Sequence, residues 1–159
     1  MGSLSPWSYR YDIQLSTGIW YDSGTTANVF LIINGEAGSS RPYQLKGGTA
    51  IPFARGSITS FTISLNNYIG PVKGVRVWHD NSGSSPSWYL NTVKVLDVSS
   101  GELRTFICYT WLAVEKGDGL VDQTLESGTH DEKKMNFKVR EITSLLTTKH
   151  RNHSMNTET

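Results

Sequence analysis

The sequence predicts an all-β fold, an antiparallel sandwich or barrel. Three observations carry this expectation. Six to eight short segments alternate apolar and polar residues or run together β-branched and aromatic ones. Gly- and Ser-rich punctuation separates them. The crossover segments of a dozen or more residues that a parallel sheet requires are missing, and no helical periodicity occurs before residue 129.

The elements follow in order. "YRYDIQL" places Tyr9, Tyr11, Ile13 and Leu15 at period two, a half-buried strand. "TGIWYDSGTTA" is rich in Gly, Ser and Thr and reads as a loop. "NVFLIIN" has the composition of a central strand, and "GEAGSSRP" is a turn. "SFTISL" puts Phe61, Ile63 and Leu65 on one face, and "VKGVRVW" pairs Val75 with Val77. "WYLNTVKVLDV" and "RTFICYTWLAV" complete the set. The C-terminal part differs. "THDEKKMNFKVREITSLL" spaces Met135, Val139, Ile142 and Leu146 by four, three and four, one helical stripe. Thr129 and Glu132 have the spacing of a capping box. The expected organisation is a β-domain over 8–124, then a linker, an amphipathic helix at about 132–147 and a disordered tail to 159.

Composition narrows the function. A hydrophobic fraction of 37% with 11% aromatic residues supports a packed core in a chain of 159 residues. A formal net charge of +1 gives no global attraction to nucleic acid, so any pull toward anionic lipid must come from a local patch. Cys108, the one cysteine, lies in an apolar run and is expected as a buried, inert thiol. No apolar run approaches the roughly 20 residues that span a bilayer. The N-terminus lacks a signal-peptide core, and Pro6 spoils a myristoylation reading of "MGSLSP". The chain is expected to be soluble and untargeted, or a piece of something larger.

"VRVWHDNSGSSPSWYL" holds the densest polar cluster between two strands. Asp80, Asn81 and Ser82 suit Asx-type turns, Gly83 permits positive φ and Pro86 stiffens the return. Trp88 is expected between the sheets, provided that its N–H finds a partner. Catalysis is not expected. Ser82, His79 and Asp80 are neighbours in an extended segment and point to opposite faces, and there is no G-x-S-x-G elbow. His150 and His153 have no partner cysteines for zinc.

Three segments carry a resemblance. "TGIWYDSGTTANVFLIINGEAGSS", "FARGSITSFTISL" and "VRVWHDNSGSSPSWYLNTVKV" resemble the PLAT (lipoxygenase-homology) domain. With "FICYTWLAVEKGDGLVDQT" they look most like the PLAT domain of the polycystin-1-like membrane proteins. The resemblance spans about Tyr9 to Thr124. It implies two four-stranded antiparallel sheets and a non-catalytic module on the cytoplasmic face of a membrane, within a larger membrane protein. It also implies that the loops around residues 18–25 and 80–81 lie at one end and can share a calcium ion. The oxygens on offer are those of Asp22, Thr25, Asp80 and Asn81 and the backbone carbonyls of Gly18 and Gly24. Thr26 stands where many PLAT domains carry an acidic residue, which predicts a weak site.

Trp20 and Tyr21 sit in a loop and suit a bilayer interface, with Lys46 as basic support at anionic lipid headgroups. The alternative for Trp20 is a lid folded over the sandwich end. For the domain as a whole, the alternative is a protein-interaction scaffold that uses residues 132–147 or a sheet face.

Overall fold

The computed structural model describes residues 8–46 and 51–126. The chain divides after Ser127, so the described residues lie in its first part. The helix expected at 132–147 and the tail fall outside the described residues.

Eight strands form two four-stranded antiparallel sheets. The first sheet has the order β4-β1-β6-β7, with β1 at Tyr9–Thr17, β4 at Ile58–Leu65, β6 at Trp88–Asp97 and β7 at Glu102–Leu112. The second has the order β3-β2-β5-β8, with β2 at Val29–Gly35, β3 at Tyr43–Gln44, β5 at Val72–His79 and β8 at Asp122–Glu126. β3 and β8 complete the eight strands expected, but the sequence did not locate them. β3 has two residues, too few for alternation to register, and β8 follows a polar loop. Leu125 on β8 is buried, so the sandwich runs past Thr124.

Period-two alternation sets the core. Tyr11, Ile13 and Leu15 of β1 face Leu31 and Ile33 of β2, with Val75, Val77, Val93 and Val95 in the same layer, all fully buried. Trp88 is the largest fully buried side chain. Its ring meets Phe53 edge-on at 5.1 Å, and its Nε1–H donates to Thr17 Oγ1 at 3.0 Å. The indole therefore contributes its whole apolar area without an orphaned donor. Cys108 is buried, as expected.

The outer face of the second sheet carries Phe30 stacked on Trp78 at 5.6 Å, with Arg76 lying 4.8 Å over the Trp78 ring. Arg76 donates from Nε and Nη2 to the Asp122 carboxylate, which ties β8 to β5 across the sheet.

Register places four connections at one end, here termed the apex. Ser16 pairs with Ile58, Thr17 with Leu90, Val29 with His79, Trp88 with Leu112 and Trp78 with Asp122. The β1–β2, β3–β4, β5–β6 and β7–β8 connections therefore emerge side by side.

Candidate functional site

The polar cluster of the β5–β6 connection is a set of stitches. Asp80 accepts from the Asn28 backbone N–H (3.1 Å), the Ser82 N–H (3.1 Å) and the Ser82 hydroxyl (2.5 Å) at Oδ1, and from Asn28 Nδ2 (2.8 Å) at Oδ2. Its own N–H donates to the Asn28 carbonyl at 3.2 Å. The Ser82 hydroxyl first, then the Asn28 amide, hold the Asp80 carboxyl well below the usual carboxylate range. Asn81 and Gly83 both take positive φ, +57° and +80°. The buried His79 ring closes the turn beneath. Nδ1 accepts the Asn81 N–H at 3.0 Å, and Nε2–H donates to the Leu112 carbonyl at 2.7 Å. With both ring nitrogens engaged by backbone, His79 is not placed to act as a base toward Ser82.

The β1–β2 connection is sewn to the same loop. Thr25 donates its hydroxyl to the Pro86 carbonyl (2.7 Å) and accepts the Ala27 N–H (3.0 Å). Thr26 and Ser85 exchange two bonds, Thr26 N–H to Ser85 O at 3.0 Å and Ser85 N–H to Thr26 Oγ1 at 2.9 Å. Such close approach demands glycine at Gly83, where an added Cβ would lie 2.4 Å from Thr26 Oγ1. The β3–β4 connection joins through Thr25 N–H to Phe53 O (3.2 Å) and Gly56 N–H to Gly18 O (2.8 Å).

Above these stitches lies an apolar crown. Ile19, Trp20, Tyr21 and Ile51 are 75%, 60%, 83% and 74% exposed. The tip does not fold back as a lid. Ser23, buried, donates both its N–H (3.0 Å) and its hydroxyl (2.6 Å) to the Trp20 carbonyl, and Asp22 sits at φ +59°. This tight turn holds Trp20 and Tyr21 outward. A largely apolar groove of about 350 Å³ runs between Tyr21 and Ile51, over Phe53 and Ala54, with Asp22 and Arg55 on its lining. Val114 and Leu120 are exposed on the β7–β8 connection at the same end.

The family model of the PLAT/LH2 domain matches residues 11–125. The chain belongs to the PLAT/LH2 domain family. This PLAT domain is 37% identical over 124 residues to Polycystin-1-like protein 1 of Oryzias latipes, a match covering 76% of this chain and 4% of that protein. It is 38% identical over 117 residues to Polycystin-1 of Homo sapiens, covering 72% of this chain and 3% of that protein. The chain thus spans a small fraction of the relatives it matches. Among solved structures, coral 8R-lipoxygenase, described as calcium-activated through a C2-like domain, superposes with a TM-score of 0.64 at 22% identity, over 75% of this chain and 17% of that one. That likeness shows the shared fold.

The residues expected at the functional end of the PLAT domain divide into two sets. Trp20 and Tyr21 stand at the tip, and Lys46 is exposed beside a second groove that includes Ile51 and Pro52. Gly18, Gly24, Thr25, Asp80 and Asn81 do come to the same end, but as packing and stitching groups. Gly18 gives its carbonyl to Gly56 N–H and lies against Tyr89, and Gly24 lies against the Phe53 carbonyl. The Thr25 hydroxyl and both Asp80 oxygens are already bonded. Of these expected ligands, Asp22 presents a carboxylate that accepts no hydrogen bond from the described residues. Among the described residues, no three His, Cys, Asp or Glu side chains are grouped to hold an ion. Calcium wants six to eight oxygens, and this donor set does not fit it as folded. Sequence reasoning missed Ile19 and Ile51. The first was visible beside Trp20 in "TGIWYD", whereas nothing in "TAIPF" separates an exposed isoleucine from a buried one.

Proposed function

We propose that this PLAT domain is a non-catalytic membrane-docking module whose apex enters the bilayer interface. One observation carries the reading. Two separate connections present Ile19, Trp20, Tyr21 and Ile51 to solvent from a scaffold cross-linked by hydrogen bonds beneath them. Exposed apolar side chains gathered at one end mark interaction sites, and Trp and Tyr favour the interface, where the ring is apolar and one edge stays wet. Fully burying one such side chain is worth about 1.5–3 kcal/mol. Lys46 and Arg55 stand on the rim, where the acidic residues of the same connections offset their attraction for anionic headgroups. The likeness to polycystin-type relatives supports a module of a larger membrane protein, and the proposal sets it at the cytoplasmic face. Calcium regulation, described for the coral lipoxygenase, would have to begin at Asp22, the carboxylate left unbonded.

The test is co-sedimentation with phospholipid vesicles. Wild type is expected in the pellet, and Trp20→Ala in the supernatant with an unchanged melting temperature. Equal sedimentation of the two would overturn the assignment of the apex.

A second reading is favoured by the outer face of the second sheet. Phe30, Trp78 and Arg76 have the composition that dominates protein–protein binding energy. In that reading the domain is a scaffold, and residues 132–147 add a partner-binding helix. A Trp78→Ala variant that keeps vesicle binding but loses a protein partner would select it.

A further inference from the structure

We infer that the apex docks on phospholipid bilayers without calcium and with little regard to headgroup charge, so that a zwitterionic phosphatidylcholine surface suffices. The inference rests on the membrane-docking reading and deepens it.

Two independent observations carry it. The first is the state of the oxygens. A calcium-gated loop pair keeps carboxylates unsatisfied until the ion arrives, since the ion takes six to eight oxygens. Here Asp80, the acidic residue of the β5–β6 loop, spends its oxygens on Asn28 and Ser82, and those bonds set the relative position of two loops. An ion at Asp80 would compete for oxygens that already accept four hydrogen bonds, three at Oδ1 and one at Oδ2, and would loosen the stitches beneath the crown. The crown is already outward without it, because the Trp20 turn is held by Ser23.

The second is the charge of the apex. Its four connections carry three basic residues, Lys46, Arg55 and Lys116, against four acidic ones, Asp22, Asp80, Glu115 and Asp118. Lys116 lies 4.2 Å over the Trp111 ring, and Arg55 lines the same groove as Asp22. Selection for anionic lipid needs a local excess of positive charge. The apex has none, whereas its apolar crown favours any interface that accepts Trp, Tyr and Ile.

The experiment uses the full chain and measures partition onto phosphatidylcholine vesicles and onto phosphatidylcholine–phosphatidylserine vesicles. Each is run in calcium and in chelator, and at ionic strengths of about 0.1 M and about 0.5 M. The expected result is binding to both vesicle types within about threefold of each other, with calcium and salt each changing it by less than about twofold. Asp22→Asn is expected to bind as well as wild type or tighter, because the one unbonded carboxylate at the tip repels phosphate. Binding that requires calcium, or is lost by Asp22→Asn, overturns the inference and leaves membrane docking standing. So does binding confined to phosphatidylserine and abolished by salt. Absence of binding in every condition overturns the docking reading itself.

Discussion

The two ends of the sandwich are braced to different degrees. At the end away from the apex, the β6–β7 turn is bonded mainly to itself, and the β2–β3 and β4–β5 connections meet through two backbone bonds, Glu36 N–H to Pro71 O and Ala37 N–H to Ile69 O. Asp97 caps the β6–β7 turn by accepting from Ser99 and Ser100 N–H, and Gly101 N–H returns to the Asp97 carbonyl at 2.7 Å. Tyr68 there rests on Tyr9, and Arg41 lies over Tyr43. At the apex, loops distant in sequence are bonded to one another, up to 61 positions apart for Thr25 and Pro86. Among the described residues, six exposed large apolar side chains lie in the apex connections and two in the opposite turns. A turn that only reverses the chain can look after itself. A surface that must hold apolar groups in water without collapsing over them needs cross-bracing, and the apex has it.

This contrast can be broken or sharpened by substitution. The largest effect is expected in the core just beneath the apex: Trp88→Ala should cost about 3–5 kcal/mol of stability in urea unfolding, by cavity formation and an abandoned Thr17 hydroxyl. Next come the paired glycines. Gly83→Ala at the apex combines positive φ with an overlap on Thr26 and should cost about 2–3 kcal/mol. Gly101→Ala at the far end, where nothing lies within 4 Å, should cost only the left-handed strain, about 1 kcal/mol. Equal melting temperatures for these two variants would deny that the apex is more tightly braced.

Removing the crown should affect binding alone. The double variant Ile19→Ser, Trp20→Ala is expected to lose vesicle affinity by about tenfold or more, equivalent to about 1.4 kcal/mol, at unchanged stability. Tyr68→Ala should leave affinity alone.

The smallest effect concerns acid. Asp80 is held below its ordinary range when folded, so the unfolded chain takes up its proton first as pH falls. Its stabilising contribution is complete above the normal carboxylate range, about pH 4, and declines as pH drops toward the depressed folded value. The difference in melting temperature between wild type and Asp80→Asn should therefore narrow from pH 7 to pH 3. A constant difference would mean that the stitches do not depend on the charge.

The fold was legible because burial on one face writes a period of two into a strand. Tyr11, Ile13 and Leu15 announce β1, and Trp88 was placed between the sheets from its ring and its need for one acceptor. β3 was too short to show a period. The Asx turn at Asp80 was legible because side chain and backbone are two residues apart. The bond from Asp80 to Asn28 was not, since those residues are 52 positions apart and only register brings them together. The same limit applies to the oxygens read as calcium ligands. Sequence shows which atoms could coordinate an ion, but not which ones the fold has already engaged.

The register of β1 and β8 has a consequence for reach. Tyr9 begins β1 and Glu126 closes β8 at the end opposite the crown. A strand of nine residues rises about 30 Å. With the crown in a bilayer, Tyr9 stands about that far above it, and Glu126, at the close of a strand of five residues, about half as far. Any flanking segment anchored in the same membrane must come back down, which takes about nine extended residues before β1 and about five after β8. The domain would then behave as a buckle on a doubled strap. Shortening either strap below that length should lift the crown off the membrane without altering a single residue of it.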